Sequence, residues 1–320
     1  MTTRAILYDA DGRDVEIELG AAIEERLDDS KLLWVDLTDP TTPEALHLLK
    51  SFAIDADALS TSGKNRPSLR QFDDYFRVHA LSIGLERHPL VTEPVAFLVG
   101  SNFVITIHPA SVRMFDDFAS QNAGETRLGE MNSATFFATL LDWLLARYFS
   151  ATELLEDSID ELDMLALGAD FDRDFLAKLS TIRRQVSALR RSLVAHRDVF
   201  HALARPDFAK AAGVAAPPHL KLLADRFERA VDAVENTRDL VMSSYELFAT
   251  GVSQQTNETM RRLTFFTVLL GILAVAAGVL GMNFQAAIFN TGDAGFLVGL
   301  VAMGAFSVAA IVFGRRRGWL

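Results

Sequence analysis

Two stretches near the C-terminal end of the sequence, Leu263–Leu280 and Ala294–Gly314, contain no Asp, Glu, Lys, Arg or His. Each has about the length needed to cross a bilayer core of roughly 30 Å as a helix. A buried core helix seldom stays uncharged over such a length, and two in tandem are rarer still. The chain therefore reads as a large water-facing body followed by a two-helix membrane anchor. A short link beginning Gly281-Met282-Asn283-Phe284 joins the two spans.

The flanking charges set the expected orientation. Arg261 and Arg262 precede the first span, and Arg315, Arg316 and Arg317 follow the second. The link Phe284–Asp293 carries no basic residue and one acid, Asp293. The positive-inside tendency keeps both arginine clusters in the cytoplasm and the link outside, with Trp319 anchoring at the interface. Met1–Leu19 alternates apolar and charged residues, so no secretory signal is expected there. The absence of cysteine fits a reducing compartment. The expected location is a bacterial-type inner membrane, with both termini cytoplasmic. A net charge of −11 argues against nucleic acid as a partner and suits a soluble body.

The body divides by pattern. Ala5–Tyr8, Val15–Leu19, Leu32–Asp36, Tyr75–Gly84, Val95–Val99 and Phe103–Ile107 predict strands, being rich in β-branched and aromatic residues. Helices are predicted from Asp39-Pro40 through about Phe52, and over Ser111–Gln121. From Ser133 a helical period takes over through Phe136, Leu140, Leu144, Tyr148 and Leu155. A basic helix is predicted over Arg183–Arg205, ending before Pro206. From His219 to Leu280 no proline interrupts the pattern, and a helix of about 90 Å follows. A helix of that length needs partners, so oligomerisation is expected. The predicted organisation is an N-terminal α/β domain over 1–131, a helical hairpin over 132–218, a stalk helix running into the first span over 219–283, an external loop over 284–293, and the second span with its basic tail over 294–320.

Several motifs together carry a family resemblance. They are Asn257-Glu-Thr-Met260, Leu263-Thr264, Gly281-Met282-Asn283-Phe284 between two spans, and a basic tail closing in Trp319-Leu320. Upstream stand Arg66-Pro67 and Phe72-Asp-Asp-Tyr75. With these the chain resembles the CorA family of divalent-cation channels. Leu189-Arg-Arg and Arg197-Asp-Val look especially like its zinc-transporter branch, ZntB. The resemblance implies an α+β cytoplasmic domain with long helices continuing into a two-helix transmembrane region, assembled as a CorA-like funnel homopentamer. The first span would line the pore and the second would lie outside it. The sequence departs from the family at the first span, which lacks a proline over Gly271–Leu280. Gly271 stands at a bulky gate position, Ala274 at a pore threonine and Leu280 at a tyrosine. Gln285, Ala286 and Ala287 follow the motif where acids are common.

Magnesium gives up its waters reluctantly, so a filter can hold the hydrated ion through acceptor oxygens. Five copies of Asn283, with the carbonyls of Gly281 and Met282, could form such a ring. The alternative is that Asn283 only caps the helix. Below it, Asn257, Met260, Thr264, Thr267, Gly271, Ala274 and Gly278 recur every three or four residues, with Leu263 at the border. One reading makes these the pore, with Met260 and Leu263 as a hydrophobic constriction. The other makes the small residues a helix-packing seam. The seven histidines lack helical metal-ligand spacing, and His196 and His201 read as packing or surface groups.

Glu153, Glu156, Asp157, Asp160, Glu161 and Asp163 form an acidic run, and Arg183, Arg184, Arg190 and Arg191 a basic one. They are expected to face each other across antiparallel helices, mostly solvated. The resemblance places the stalk acid of a closing-magnesium site at Leu222, leaving Asp225 and Glu86 as substitutes. No Walker-type loop or nucleophilic triad is visible, so no enzyme and no cofactor is expected. The transported cation is magnesium on this reading. Zinc, cobalt or nickel are the alternatives, including a proton-coupled ZntB-type transporter, and a non-conducting membrane-tethered sensor or scaffold is the alternative of another class. The expected partners are the lipid bilayer, divalent cations and further copies of the chain.

Overall fold

The computed structural model describes residues 3–10, 13–17, 31–38, 49–50, 52, 54, 66–85, 89–108, 110, 112–122, 124, 126–166, 174–211, 217–282 and 292–319. Seven strands form one mixed sheet: β1 (Thr3–Asp9), β2 (Val15–Glu16), β3 (Lys31–Thr38), β4 (Ser68–Gln71), β5 (Phe76–Gly84), β6 (Val91–Val99) and β7 (Phe103–His108), in the order β2-β1-β3-β7-β6-β5-β4. Among the described residues only β3 and β7 run parallel; every other pairing is antiparallel. The helices are α1 (Arg113–Gln121), α2 (Ser133–Ala166), α3 (Phe175–Val194), α4 (Arg197–Leu203), α5 (Pro206–Ala211), α6 (Pro217–Leu280) and α7 (Gly292–Arg316). Two compact units result. One holds residues 1–165 and 170–244, the other 166–169 and 245–320, and α6 passes from the first into the second.

Both faces of the central strands are covered, which explains their nearly unbroken apolar sequences. On one face Leu33, Val35, Leu37, Ala96, Leu98, Ile105 and Ile107 join Leu49, Phe52 and Ile54 in a single cluster. On the other, Trp34 packs against Phe115, Phe118 and Phe136, while Phe97 meets Phe115 and Phe137. The edge-to-face arrangement of many of these rings suits their quadrupoles. Asn132 caps α2, its side-chain oxygen accepting from the Thr135 amide at 2.8 Å.

The structure revises four local expectations. β6 begins at Val91 rather than Val95, running through Pro94. The β6–β7 ladder ends at Ala96↔Ile107, so Pro94 lies where β6 has a partner on one side only and its missing N–H leaves no gap. The helix expected over Arg183–Arg205 starts earlier, at Phe175, and breaks between Val194 and Arg197. There the His196 amide bonds the Leu193 carbonyl three residues back, and the His196 side chain turns into the core. β4 and α5 were not expected. The helix predicted from Asp39 lies outside the described residues except near its end, where Leu49 and Lys50 are helical.

The acidic and basic runs do not pair with each other among the described residues. Both turn to α6 instead: Glu156 accepts from Thr237 at 2.8 Å, Asp163 from Ser244 at 3.0 Å, and Arg190 pairs with Glu235. Short hydroxyls and one acid of α6 thus take up side chains from both runs.

Candidate functional site

α6 and α7 each contain an 18-residue window of mean hydropathy 2.5, of which 6% and 0% is buried. A core helix of a soluble protein would be mostly buried. Exposed apolar surface on this scale needs lipid or other chains to cover it.

The less exposed residues of the first span are Phe265, Leu269, Leu273 and Ala276. At about 100° per residue they share one face. A Cβ on Gly299 of α7 would lie 3.5 Å from Leu280 Cδ1, and the Phe265 ring lies 6.5 Å from that of Trp319, so this face looks toward α7. The complementary face of α7 carries Gly295, Gly299, Met303, Ser307, Ala310 and Gly314, the residues of that helix with reduced exposure. Five of these six are small, and their spacing of three or four makes a seam that lets the two backbones approach.

Asn257, Met260, Thr264, Thr267, Gly271, Ala274 and Gly278 lie roughly 180° around α6 from that contact face, by the same 100° rotation. All are exposed in the single chain, Met260 by 59% and Leu263 by 66%. The small residues of the first span therefore do not form its seam with α7, which uses Phe265, Leu269, Leu273 and Ala276 instead. The seam of small residues was legible in α7 from its own spacing and was missed.

At the end of α6 the chain tightens. Gly281 N–H donates to the Ala277 carbonyl at 2.9 Å, and Met282 N–H to Val279 at 3.3 Å, a shorter loop of three residues. A Cβ on Gly281 would stand 3.3 Å from the Ala277 oxygen, so glycine suits this turn. Asn283 lies outside the described residues, as does Glu86.

No group of three or more His, Asp or Glu side chains able to hold a metal occurs among the described residues. At the position of the expected stalk acid, Leu222 is 65% exposed and lines a cavity of about 300 Å³ with Thr135, Thr139, Asp142, His219, Arg226 and Arg229. Burial raises the Asp142 carboxyl above its usual range, opposed by Arg226 and Arg229. Arg226 Nη1 donates to Asp142 at 2.9 Å. Two guanidiniums make this cavity a poor place for a hard cation. Asp225 is exposed and is not part of the lining.

Two buried histidines fasten the sheet to the helices. His196 Nδ1 donates to the Ser192 carbonyl, and Nε2 accepts the Leu81 amide of β5, both at 2.9 Å. Burial lowers its pKa to about 4, so it is neutral. Tyr148 O–H donates to the Leu81 carbonyl at 2.8 Å, and its oxygen accepts from Ser192 at 2.7 Å. Burial raises the Tyr148 pKa. His108 is the opposite case. Burial lowers its pKa, but the hydrogen bond from Nε2 to Asp36 at 3.0 Å and the charge of Asp36 outweigh this and raise it overall. Nδ1 faces the Ala110 carbonyl at 2.6 Å, so both ring nitrogens meet acceptors. Neither histidine belongs to a group of three metal-ligating side chains among the described residues, and the bonds of both tie packed elements together.

The CorA-like Mg2+ transporter protein family model matches residues 29–316. The cobalt/magnesium transport protein CorA of Thermotoga maritima is 25% identical over 260 residues, covering 80% of this chain and 73% of that protein. The complete structure of the CorA magnesium transporter from Methanocaldococcus jannaschii superposes with a TM-score of 0.73 at 20% identity, over 100% of both chains. The ZntB cytoplasmic domain from Vibrio parahaemolyticus matches with a TM-score of 0.59 at 11% identity, over 79% of this chain and 100% of that one. With an exposed apolar helix pair after a mixed sheet and a family match over most of its length, this chain belongs to the CorA-like Mg2+ transporter protein family.

Proposed function

We propose that this protein transports divalent cations, magnesium first among them, through a homopentameric pore lined by α6. The observation that carries this reading is the stripe from Asn257 to Gly278, which faces away from the α7 seam and is exposed along its whole length. Copies arranged around an axis would turn that stripe inward and leave α7 to the lipid. Gly281, Met282 and Asn283 would form the filter at the C-terminal end of α6. There the helix dipole presents partial negative charge, which favours a cation. Carboxamide and carbonyl oxygens would bind the first-shell waters, so the ion need not be stripped. Met260 and Leu263 would form a ring that closes by dewetting. The transmembrane potential supplies the drive: two charges crossing 100 mV inward gain about 4.6 kcal/mol. The cation is the cargo, and both termini lie in the cytoplasm of a bacterial-type inner membrane.

The test is flux into proteoliposomes loaded with a magnesium-sensitive dye, run beside zinc. Wild type should carry magnesium. Asn283→Ala should lose flux while keeping its pentameric mass in native mass spectrometry. A conducting Asn283→Ala protein would remove the filter, zinc flux without magnesium flux would move the chain to zinc transport, and a monomer or dimer would remove the pore.

A further inference from the structure

Beyond the pore, the C-terminal tail carries a second site. Gly318 has φ +67°, a conformation that favours glycine. Its amide donates to the Arg315 carbonyl at 3.1 Å, and the Trp319 amide donates to Gly314 at 2.8 Å. These two bonds are the paired closure of a Schellman cap, and its usual apolar contact is present as Trp319 against Phe313, with centroids 6.4 Å apart. The cap folds Trp319 back until its ring meets Phe265 of α6. The tail is thus held against the first span. Arg315, Arg316 and Arg317 occupy the last turn of α7 and the cap, with the Arg317 guanidinium 5.3 Å from the Phe313 ring centroid.

Arg261 and Arg262 precede Phe265 by four and three residues, so both lie on its side of α6, one turn away. Five arginines therefore lie within about a turn of these aromatic residues along α6 and the end of α7, all exposed, with the Arg317 guanidinium set over the Phe313 ring. None has a carboxylate partner among the described residues, and Glu258, three and four residues before the α6 pair, makes no ion pair with either. The dipole at the end of α7 favours positive charge in the last turn, but it does not act on Arg261 and Arg262, which lie inside α6. Five like charges beside an apolar helix pair need a countercharge, and the membrane offers one at that depth. Guanidiniums bind phosphate oxygens in forked pairs, and indole and phenyl rings suit the interface below the headgroups.

We propose that Arg261, Arg262, Arg315, Arg316 and Arg317 bind the phosphate of an anionic phospholipid, whose acyl chains lie along the Phe265–Phe313–Trp319 cluster. The experiment reconstitutes the full chain in bilayers of brominated phosphatidylglycerol or brominated phosphatidylcholine, mixed with unbrominated phosphatidylcholine. Quenching of Trp319 is read as the difference from W319F, which removes the signals of Trp34 and Trp143. Each basic group near a membrane surface contributes about 1 kcal/mol, or roughly a fivefold factor. The brominated anionic lipid should associate at least about tenfold more strongly than the zwitterionic one. In 1 M salt, where the screening length is about 3 Å, the preference should shrink toward unity. R315Q, R316Q and R317Q together should abolish most of it, and the matching lysine variant should keep most of it. Equal quenching of the wild type by both lipids overturns the site, as does a preference that survives both salt and glutamine substitution. Displacement of the brominated lipid by inorganic phosphate would also overturn it, by making the site one for soluble anions.

Discussion

His196→Gln tests how burial sets the stability of the water-facing unit against pH. His196 is fully buried and neutral, with its pKa lowered from an ordinary 6.5 to about 4 by burial, which its hydrogen bonds only partly offset. A lowered histidine pKa means that the unfolded chain takes up the proton first as pH falls. The stability from this site is therefore complete above about pH 6.5 and is lost as pH falls toward about 4. The drop from 6.5 to about 4 corresponds to roughly 3 kcal/mol. Most of it has gone by pH 4.5. The assay is urea unfolding of the full chain, followed by Trp34 and Trp143 fluorescence, at pH 7 and pH 4.5. His196→Gln should be less stable at pH 7 by about 1–3 kcal/mol, because the glutamine amide replaces only in part the ring's packing and its paired bonds to the Leu81 amide and the Ser192 carbonyl. Its further loss on going to pH 4.5 should be smaller than that of wild type by about 2 kcal/mol. His108 and the carboxylates titrate in both proteins and cancel in the comparison. Equal losses in the two proteins would refute the account, because the histidine would then not be the group that resists protonation.

His108 predicts the opposite sign. Its raised pKa adds stability that is complete below about pH 6.5 and lost as pH rises through the folded value, so Asp36→Asn should cost about 3–5 kcal/mol near pH 6 and less at higher pH, measured by the same unfolding assay. A cysteine placed at Ala287 should react with an impermeant thiol reagent added outside intact cells; labelling only after lysis reverses the proposed topology. Leu222 and the arginine-lined cavity predict that millimolar magnesium changes protease protection little relative to chelator. Strong magnesium-dependent protection that disappears in Asp225→Ala would restore a regulatory site there.

The sequence by itself determined the two spans, because an uncharged run of that length has few stable places outside lipid. It also determined most of the strands and the long α6, because hydrophobic period and the absence of proline act locally. Asn283 and Glu86 rest on the sequence alone, since neither lies among the described residues. What local pattern did not contain was decided by the tertiary structure. The break at His196 follows from an acceptor needed by Leu81, 115 residues away in sequence. Glu156 and Asp163 of the acidic run bond to Thr237 and Ser244 of α6 rather than to the basic run, a pairing set by which helix packs against that face. The choice between seam and pore-facing stripe on the first span could not be made from spacing alone. Both readings share the period of a helix, and only the position of α7 on the Phe265 side shows which face of α6 it covers and which it leaves exposed.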